Sequence, residues 1–297
     1  MQVVDPHIHL WDLKALHYPW LANPGVSFVG DARDLRHDYL LQDLLHDAQP
    51  VQLLKVVHVE ANHDPADPVA ETRWLQRVAD EPAARSMPNG IVAAVDLSAG
   101  NAAEVLEAHA AFANVRGVRQ ILNAHENKLY DYIGKHLMRD AAWRDNFALL
   151  RRHQMTFDMQ LYPSQMDDAA QLARTHADTQ FIVNHAGMFV DRDSVAGYRA
   201  WRDGLRKLAA CANVAVKISG LAMFDHQWTV ESLRPYVLET IDAFGVERAM
   251  FASNFPVDRL FGSYEALWNA YASIVGGVSE AERDALFVRN AERLYRI

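Results

Sequence analysis

A single-domain (β/α)8 barrel, the TIM-barrel class of α/β fold, is predicted over residues 1–297 by two observations. Eight apolar runs of strand length recur along the chain, and segments with helical spacing separate most of them. Near-continuous apolar strands alternating with helices imply a parallel sheet covered on its outer face. Eight such units in about this length is the arithmetic of a closed barrel. An open doubly wound sheet is the competing architecture, but no Gly-x-Gly-x-x-Gly loop follows the first run.

The first run, 3–10, opens on Val3-Val4 and leads into Asp5-Pro6-His7-Ile8-His9. Side chains alternate across a strand, so His7 and His9 share a face, and at the strand end their imidazoles converge on a point just beyond it. The connection 11–35 is too long for a simple barrel loop. It carries Trp11, Tyr18, Trp20 and Phe28, which implies a lid or wall packed on the barrel. The second run, 53–61, contains Val56-Val57-His58-Val59-Glu60, with His58 and Glu60 on one face and Glu60 at the mouth. A helix is expected over 68–80. The third run is 90–97, followed by a helix over 102–113. The fourth, 115–122, offers Arg119 and Gln120 before a helix over 137–153. The fifth, 156–162, offers Gln160 and Tyr162 and precedes a helix over 164–176. The sixth, 180–187, holds Phe181-Ile182-Val183-Asn184-His185 and precedes a helix over 198–211. The seventh, 214–221, carries Lys217 and Ser219, with a helix over 230–244 after it. The eighth, 249–256, runs into Ser253-Asn254-Phe255-Pro256-Val257-Asp258. A closing helix is expected over 280–295, with Ser279 as N-cap and Glu282 in the capping-box position.

Composition narrows the function. Half the residues are hydrophobic and 23% are charged, which supplies ample core. A net charge of −9, with no block of Lys or Arg, argues against a nucleic-acid partner. The single cysteine, Cys211, excludes an internal disulfide and a Cys-based zinc cluster. No apolar run approaches the ~20 residues of a membrane span. The first strand starts so soon after Met1 that no signal peptide is expected. The reading is a soluble cytoplasmic protein acting on a small molecule. Among the fourteen histidines, His46, His109 and His176 fall on polar helix stretches and are expected to be solvated.

In a barrel of this class the active site lies at the C-terminal ends of the strands. His7 and His9 suit a divalent metal, or a carbonyl oxygen needing two nitrogen donors. His185 adds a third imidazole at a strand end. His58, mid-strand, reads as a core histidine. Glu60 ends an apolar strand and needs a partner or a task. Lys217 is either a structural cation paired with a carboxylate or a substrate contact. Arg119 either orients an anionic or carbonyl group or caps the barrel. Asp191-Arg192-Asp193 reads as a solvated turn, and His125-Glu126-Asn127 as a polar loop after strand 4. No Gly-x-Ser-x-Gly elbow or P-loop is present.

On these residues the chain resembles the amidohydrolase superfamily, and within it the amidohydrolase-2 group that includes sugar-lactone and dicarboxylate-lactone hydrolases. The resemblance covers essentially the whole chain. It rests on Asp5-Pro6-His7-Ile8-His9-Leu10-Trp11, Val183-Asn184-His185-Ala186-Gly187, Val216-Lys217-Ile218-Ser219-Gly220-Leu221 and Phe251-Ala252-Ser253-Asn254-Phe255-Pro256. It implies hydrolysis of a cyclic ester, with the carbonyl activated by His7, His9 and His185, directly or through a metal.

Two departures matter. The superfamily usually ends strand 8 on an aspartate that takes a proton from the attacking water; here that position is Asn254, and an amide cannot titrate. Asp258 is the first substitute and Glu60, which an ion pair with Lys217 would make a weaker base, the second. Binuclear relatives carry a carboxylated lysine at the end of strand 4, which this chain lacks, so one divalent ion at most is expected, zinc by its ligand set. In this reading Arg119, Gln160, Lys217 and Asn254 hold the substrate. With Arg119 the one obvious carboxylate clamp, a sugar lactone is favoured over a dicarboxylate. The alternatives are a metal-dependent decarboxylase of the same fold and a non-catalytic ligand-binding barrel.

Overall fold

Eight parallel strands follow one another around the barrel in chain order: β1 (Gln2–Ile8), β2 (Gln52–Val59), β3 (Gly90–Ala94), β4 (Val115–Ile121), β5 (Thr156–Gln160), β6 (Phe181–Val183), β7 (Val214–Ile218) and β8 (Ala249–Phe251). The computed structural model describes residues 1–23 and 27–297; positions 24–26 of the connection 11–35 lie outside the described residues. The ring closes just past β8. Ile8 bridges Phe255, the His9 N–H donates to the Phe255 carbonyl at 2.7 Å, and the Asn254 N–H donates to the His7 carbonyl at 2.9 Å. The segments bearing His7, His9 and Asn254 are thereby locked together.

A helix follows each strand: Leu41–Asp47, Ala70–Asp80, Ala102–Ala110, Ala141–Phe147, Met166–Thr175, Val195–Ala209, Val230–Phe244 and Tyr264–Ile274. The stretch 137–153 is not one helix. Asp140 caps a new start by accepting from the Trp143 N–H at 2.9 Å, and 3-10 turns flank the short helix on both sides. The closing segment begins on the expected capping box, the Ser279 and Glu282 side chains each accepting from the other's backbone N–H. A π-turn, Ala285–Arg289, interrupts it before the last helix, Asn290–Tyr295.

That last helix plugs the barrel. Val4, Val57, Val92, Ile182, Ala215 and Met250 pack with Leu294 and Tyr295 in one cluster. Side chains from six strands can meet only on the barrel axis. The larger core lies between the strands and the outer helices.

The strands end one to five residues earlier than the apolar runs suggest, because the backbone leaves the ladder at the mouth. Asn62, His185, Ala186 and Asn254 all have positive φ, the left-handed region that non-glycine residues rarely occupy. Such strain clusters where a structure must aim side chains.

Three other expectations change. His109 is buried rather than solvated, with its ring nitrogens bonded to Thr72 Oγ1 at 3.0 Å and the Ala94 carbonyl at 2.9 Å. His46 is exposed as expected, and His176 is half-buried. Arg192 is not a free turn residue: it pairs with Asp225 at 3.0 Å and lies over the Tyr236 ring.

Candidate active site

The strand-1 motif works through its aspartate as well as its histidines. Asp5 accepts from the Ser253 N–H at 3.0 Å, the His7 N–H at 3.2 Å and the Tyr264 hydroxyl at 2.9 Å. It ties β1 to the segment after β8 and to an outer helix. Burial pushes its pKa up to about 6 against these hydrogen bonds. The register of β1 against β2 shifts between Asp5 and Ile8, where the first of the two histidines lies.

The three histidines meet as the sequence predicts. The His7 ring centroid is 5.1 Å from that of His9 and 4.6 Å from that of His185. His9 Nδ1 lies 2.7 Å from the Val59 carbonyl, so it carries the proton and leaves Nε2 as a lone pair. His185 Nδ1 lies 3.0 Å from Ser219 Oγ. His7 is buried with neither ring nitrogen hydrogen-bonded. Burial holds all three well below the ordinary imidazole range, reinforced by the Lys217 ammonium at His7 and the Arg119 guanidinium at His9 and His185. They are neutral imidazoles at pH 7.

Above them opens a cavity of about 360 Å³ whose wall includes His9, His185, Arg119, Gln160 and Asn254, with Trp20, Phe28 and Tyr130 as its aromatic side. The connection after β1 is thus a wall, as its aromatic content predicts. Trp11 is buried and donates to the His37 carbonyl at 2.7 Å, and Trp20 donates to the Ala61 carbonyl at 2.8 Å.

Four expected site residues stand back from this cavity: His7, fully buried beneath its wall, and three more. Lys217 is fully buried below it, 2.5 Å from Asp158 Oδ2 and 3.3 Å from the Pro6 carbonyl, so its ammonium is committed and does not reach a substrate. Asp158 also accepts from the Tyr295 hydroxyl and, at 2.9 Å, from the Asn184 amide. Glu60 pairs with Arg119, not with Lys217: Oε1 takes the Arg119 Nε–H at 2.6 Å and Oε2 the Asn62 N–H at 2.8 Å. Asp258 is buried, and the neighbouring Arg259 pairs with Asp47. The Asp258 Oδ1 accepts from Asn254 Nδ2 at 2.7 Å, one side chain behind the cavity wall. His58 is the core histidine expected, accepting from the Leu10 N–H at 3.1 Å.

The Asp158–Tyr295 part of this network escapes sequence reading, although a carboxylate inside an apolar strand signals a buried partner. Lys217→Met leaves Asp158 as an uncompensated buried charge. It is expected to cost about 3–5 kcal/mol of stability by urea unfolding; a loss below about 1 kcal/mol refutes the structural assignment.

Gly220 has φ +60, and a Cβ there falls 2.5 Å from His185 Nδ1. Gly220→Ala must therefore displace the imidazole. A loss of about 10²-fold in kcat with an unchanged far-UV spectrum is expected, since an ångström of misplacement costs that much. Wild-type activity in this variant contradicts a positional role for His185.

The donor chemistry fits one divalent metal. His9 and His185 each have one ring nitrogen fixed by a neighbour and one left over, the arrangement in which imidazole ligands are held. His7 has two buried nitrogens that need a partner. As placed, no three His, Cys, Asp or Glu side chains among the described residues have converged as a ligand set.

The chain belongs to the amidohydrolase family, whose profile (Amidohydro_2) it matches over residues 4–297. Fold and relatives together define a hydrolase of that family. It is 46% identical, over 99% of its length and 98% of the relative's, to the uncharacterized protein y4mH of Sinorhizobium fredii. It is 30% identical to an L-fucono-1,5-lactonase of Burkholderia multivorans, over 99% of this chain and 96% of that one. Among solved structures, a Burkholderia multivorans amidohydrolase with bound zinc superposes with a TM-score of 0.79 at 26% identity, covering 100% of both chains. Among the described residues no helix is long and apolar enough to cross a membrane.

Proposed function

We propose that this protein hydrolyses a lactone, and that its substrate is an uncharged sugar-acid lactone. The observation that carries this reading is the state of Arg119. Its Nε–H and one terminal nitrogen go to Glu60, side chain and carbonyl, both at 2.6 Å, and the other terminal nitrogen goes to Gln160 Oε1 at 3.0 Å. The side-on fork of Nε and one terminal nitrogen, the edge best shaped to clamp a carboxylate, is taken by Glu60, and three of the five N–H donors are engaged in all. Lys128, the other cation on the cavity wall among the described residues, is exposed and paired with Asp131 at 3.2 Å. What remains for a ligand is amide, imidazole and aromatic surface, which suits a hydroxylated ring. The 30% identical L-fucono-1,5-lactonase supports the same class.

His7, His9 and His185 act on the ring carbonyl as the residues that would hold a divalent ion, zinc by donor type; His9, whose free nitrogen is a lone pair, acts there as a ligand and not as a hydrogen-bond donor. Such an ion supplies Lewis-acid polarisation when bound. Asn254, fixed through its amide nitrogen to Asp258, lines the cavity and orients the attacking water. Asp258 receives that water's proton by way of a bridging water and returns it to the ring oxygen as the acyl C–O bond breaks, so the opened ring leaves as the hydroxy acid and Asp258 is restored. Glu60 is the weaker candidate because both its oxygens are engaged.

The test is hydrolysis of L-fucono-1,5-lactone and related aldonolactones, followed by acid release, against 2-pyrone-4,6-dicarboxylate. Turnover of a neutral lactone with kcat/KM at least about 10²-fold above the dianion is expected, since the cavity leaves a carboxylate unpaired. Equal or better turnover of the dicarboxylate overturns the reading. Elemental analysis of the same batch is expected to find about one divalent ion per chain, and its removal by chelator to lower kcat by about 10²-fold or more. Full activity in metal-free protein assigns the carbonyl to the imidazoles alone.

A further inference from the structure

A second cavity of about 590 Å³ adjoins the first, over the end of β3. The two share Trp20, Asn62, Arg119, Ile121 and Tyr132 as lining, so these side chains form the partition between them. At its base stands the Glu60–Arg119 pair. At its top the Tyr132 hydroxyl donates to Asn62 Oδ1 at 2.9 Å, joining the loop after β4 to the loop after β2. Asn62 reaches across from a left-handed backbone, φ 54°, at the point where its strand has just ended. Tyr132 is held by backbone hydrogen bonds from its own N–H and that of Ile133 to the Asn123 carbonyl, at 3.1 and 3.0 Å. The outer edge of the partition is therefore one side-chain hydrogen bond between two loops, at a solvent-exposed position.

The far chamber is lined in part by His63, Asp96, Asn101 and Gln120, with one face of Trp20. Polar groups beside an aromatic face are what a sugar ring requires. The first cavity holds the reacting ring next to the histidines; the second has room for another ring and the chemistry to receive it.

We infer that the Asn62–Tyr132 bridge sets substrate length, confining this enzyme to single-ring lactones and shutting a second sugar out of the chamber over β3. The inference rests on the lactonase reading above. It makes Tyr132 a specificity-determining residue with no part in ring opening.

The experiment compares kcat/KM for D-glucono-1,5-lactone and cellobiono-1,5-lactone, the same lactone bearing a second glucose on its 4-hydroxyl. The wild type is compared with Tyr132→Ala and Asn62→Gly, the latter suited to the left-handed backbone at that position. Wild type is expected to prefer the single-ring lactone by about 10²-fold or more, and both variants to narrow that ratio by at least about tenfold, chiefly through the two-ring substrate. Calorimetric binding of gluconate and cellobionate makes the same comparison without turnover, so it decides the point even if neither lactone is hydrolysed. Absence of turnover on every aldonolactone by the wild type speaks against the lactonase reading, whereas the bridge is judged on the ratio. An unchanged ratio in both variants, by rate or by binding, overturns the inference. So does a wild type that accepts the two-ring lactone as readily as the single-ring one.

Discussion

His185→Ala is expected to lower kcat by about 10²–10³-fold while leaving the fold intact, the loss that follows removal of one donor at a reacting carbonyl. Its ring lies on the cavity wall, its Nδ1 is fixed by Ser219, and its backbone is held at φ 54° to aim it there. His7→Ala should lose activity on the same scale but differ in stability. The His7 ring is buried with two unpartnered nitrogens, which costs about 1–3 kcal/mol in the metal-free protein. Truncation removes that penalty but opens a cavity, so metal-free His7→Ala should unfold within about 1 kcal/mol of wild type although a buried aromatic ring has gone. Steady-state kinetics on the best aldonolactone and urea unfolding of chelator-treated protein measure both. Turnover by His185→Ala within a few-fold of wild type eliminates that residue from the chemistry.

The barrel was legible because its signal is redundant. Eight apolar runs each carry the strand pattern, and an error in one leaves the count standing. The strand-end histidines were legible for the same reason: two lie on one strand and the third ends another, so topology alone brings them together. Partnerships were less visible. Nothing local distinguishes Glu60 bonded to Arg119 from Glu60 bonded to Lys217, because both cations sit at inward positions of other strands. The choice is made by Asp158 and Tyr295, which take Lys217 into the floor of the site. Tyr295 lies in the last helix, 137 residues from Asp158, and such a contact leaves no periodic trace. The loop after β4 likewise hides its role. His125 packs against Tyr130 and Tyr162, and Tyr132 reaches Asn62, through a turn with no regular structure to predict.

The proton acceptor is where this chain parts from the pattern it resembles, and its test yields the other large effect. Asn254 stands where a carboxylate is expected, and it is hydrogen-bonded to one, Asp258. Burial raises the Asp258 pKa to about 8, with the Asn254 amide and the Ala222 backbone pulling the other way. Its Oδ2 has no hydrogen-bond partner. A carboxyl with that pKa is neutral below the transition and a far stronger base than an ordinary aspartate above it. The sign follows directly. If Asp258 accepts the proton, kcat rises about tenfold per pH unit below the transition and levels off above about pH 8. Asp258→Asn should abolish that limb and lower kcat on the plateau by about 10²–10⁴-fold, the usual contribution of a general base. Glu60→Gln should keep the limb in place, because Glu60 already spends both oxygens on Arg119 and the Asn62 amide; whatever it loses comes through Arg119. A limb that survives in Asp258→Asn removes Asp258 from the mechanism, and one that vanishes only in Glu60→Gln transfers the role to Glu60. A profile unchanged in both variants means that neither carboxylate takes the proton, and that the activated lactone needs only the oriented water.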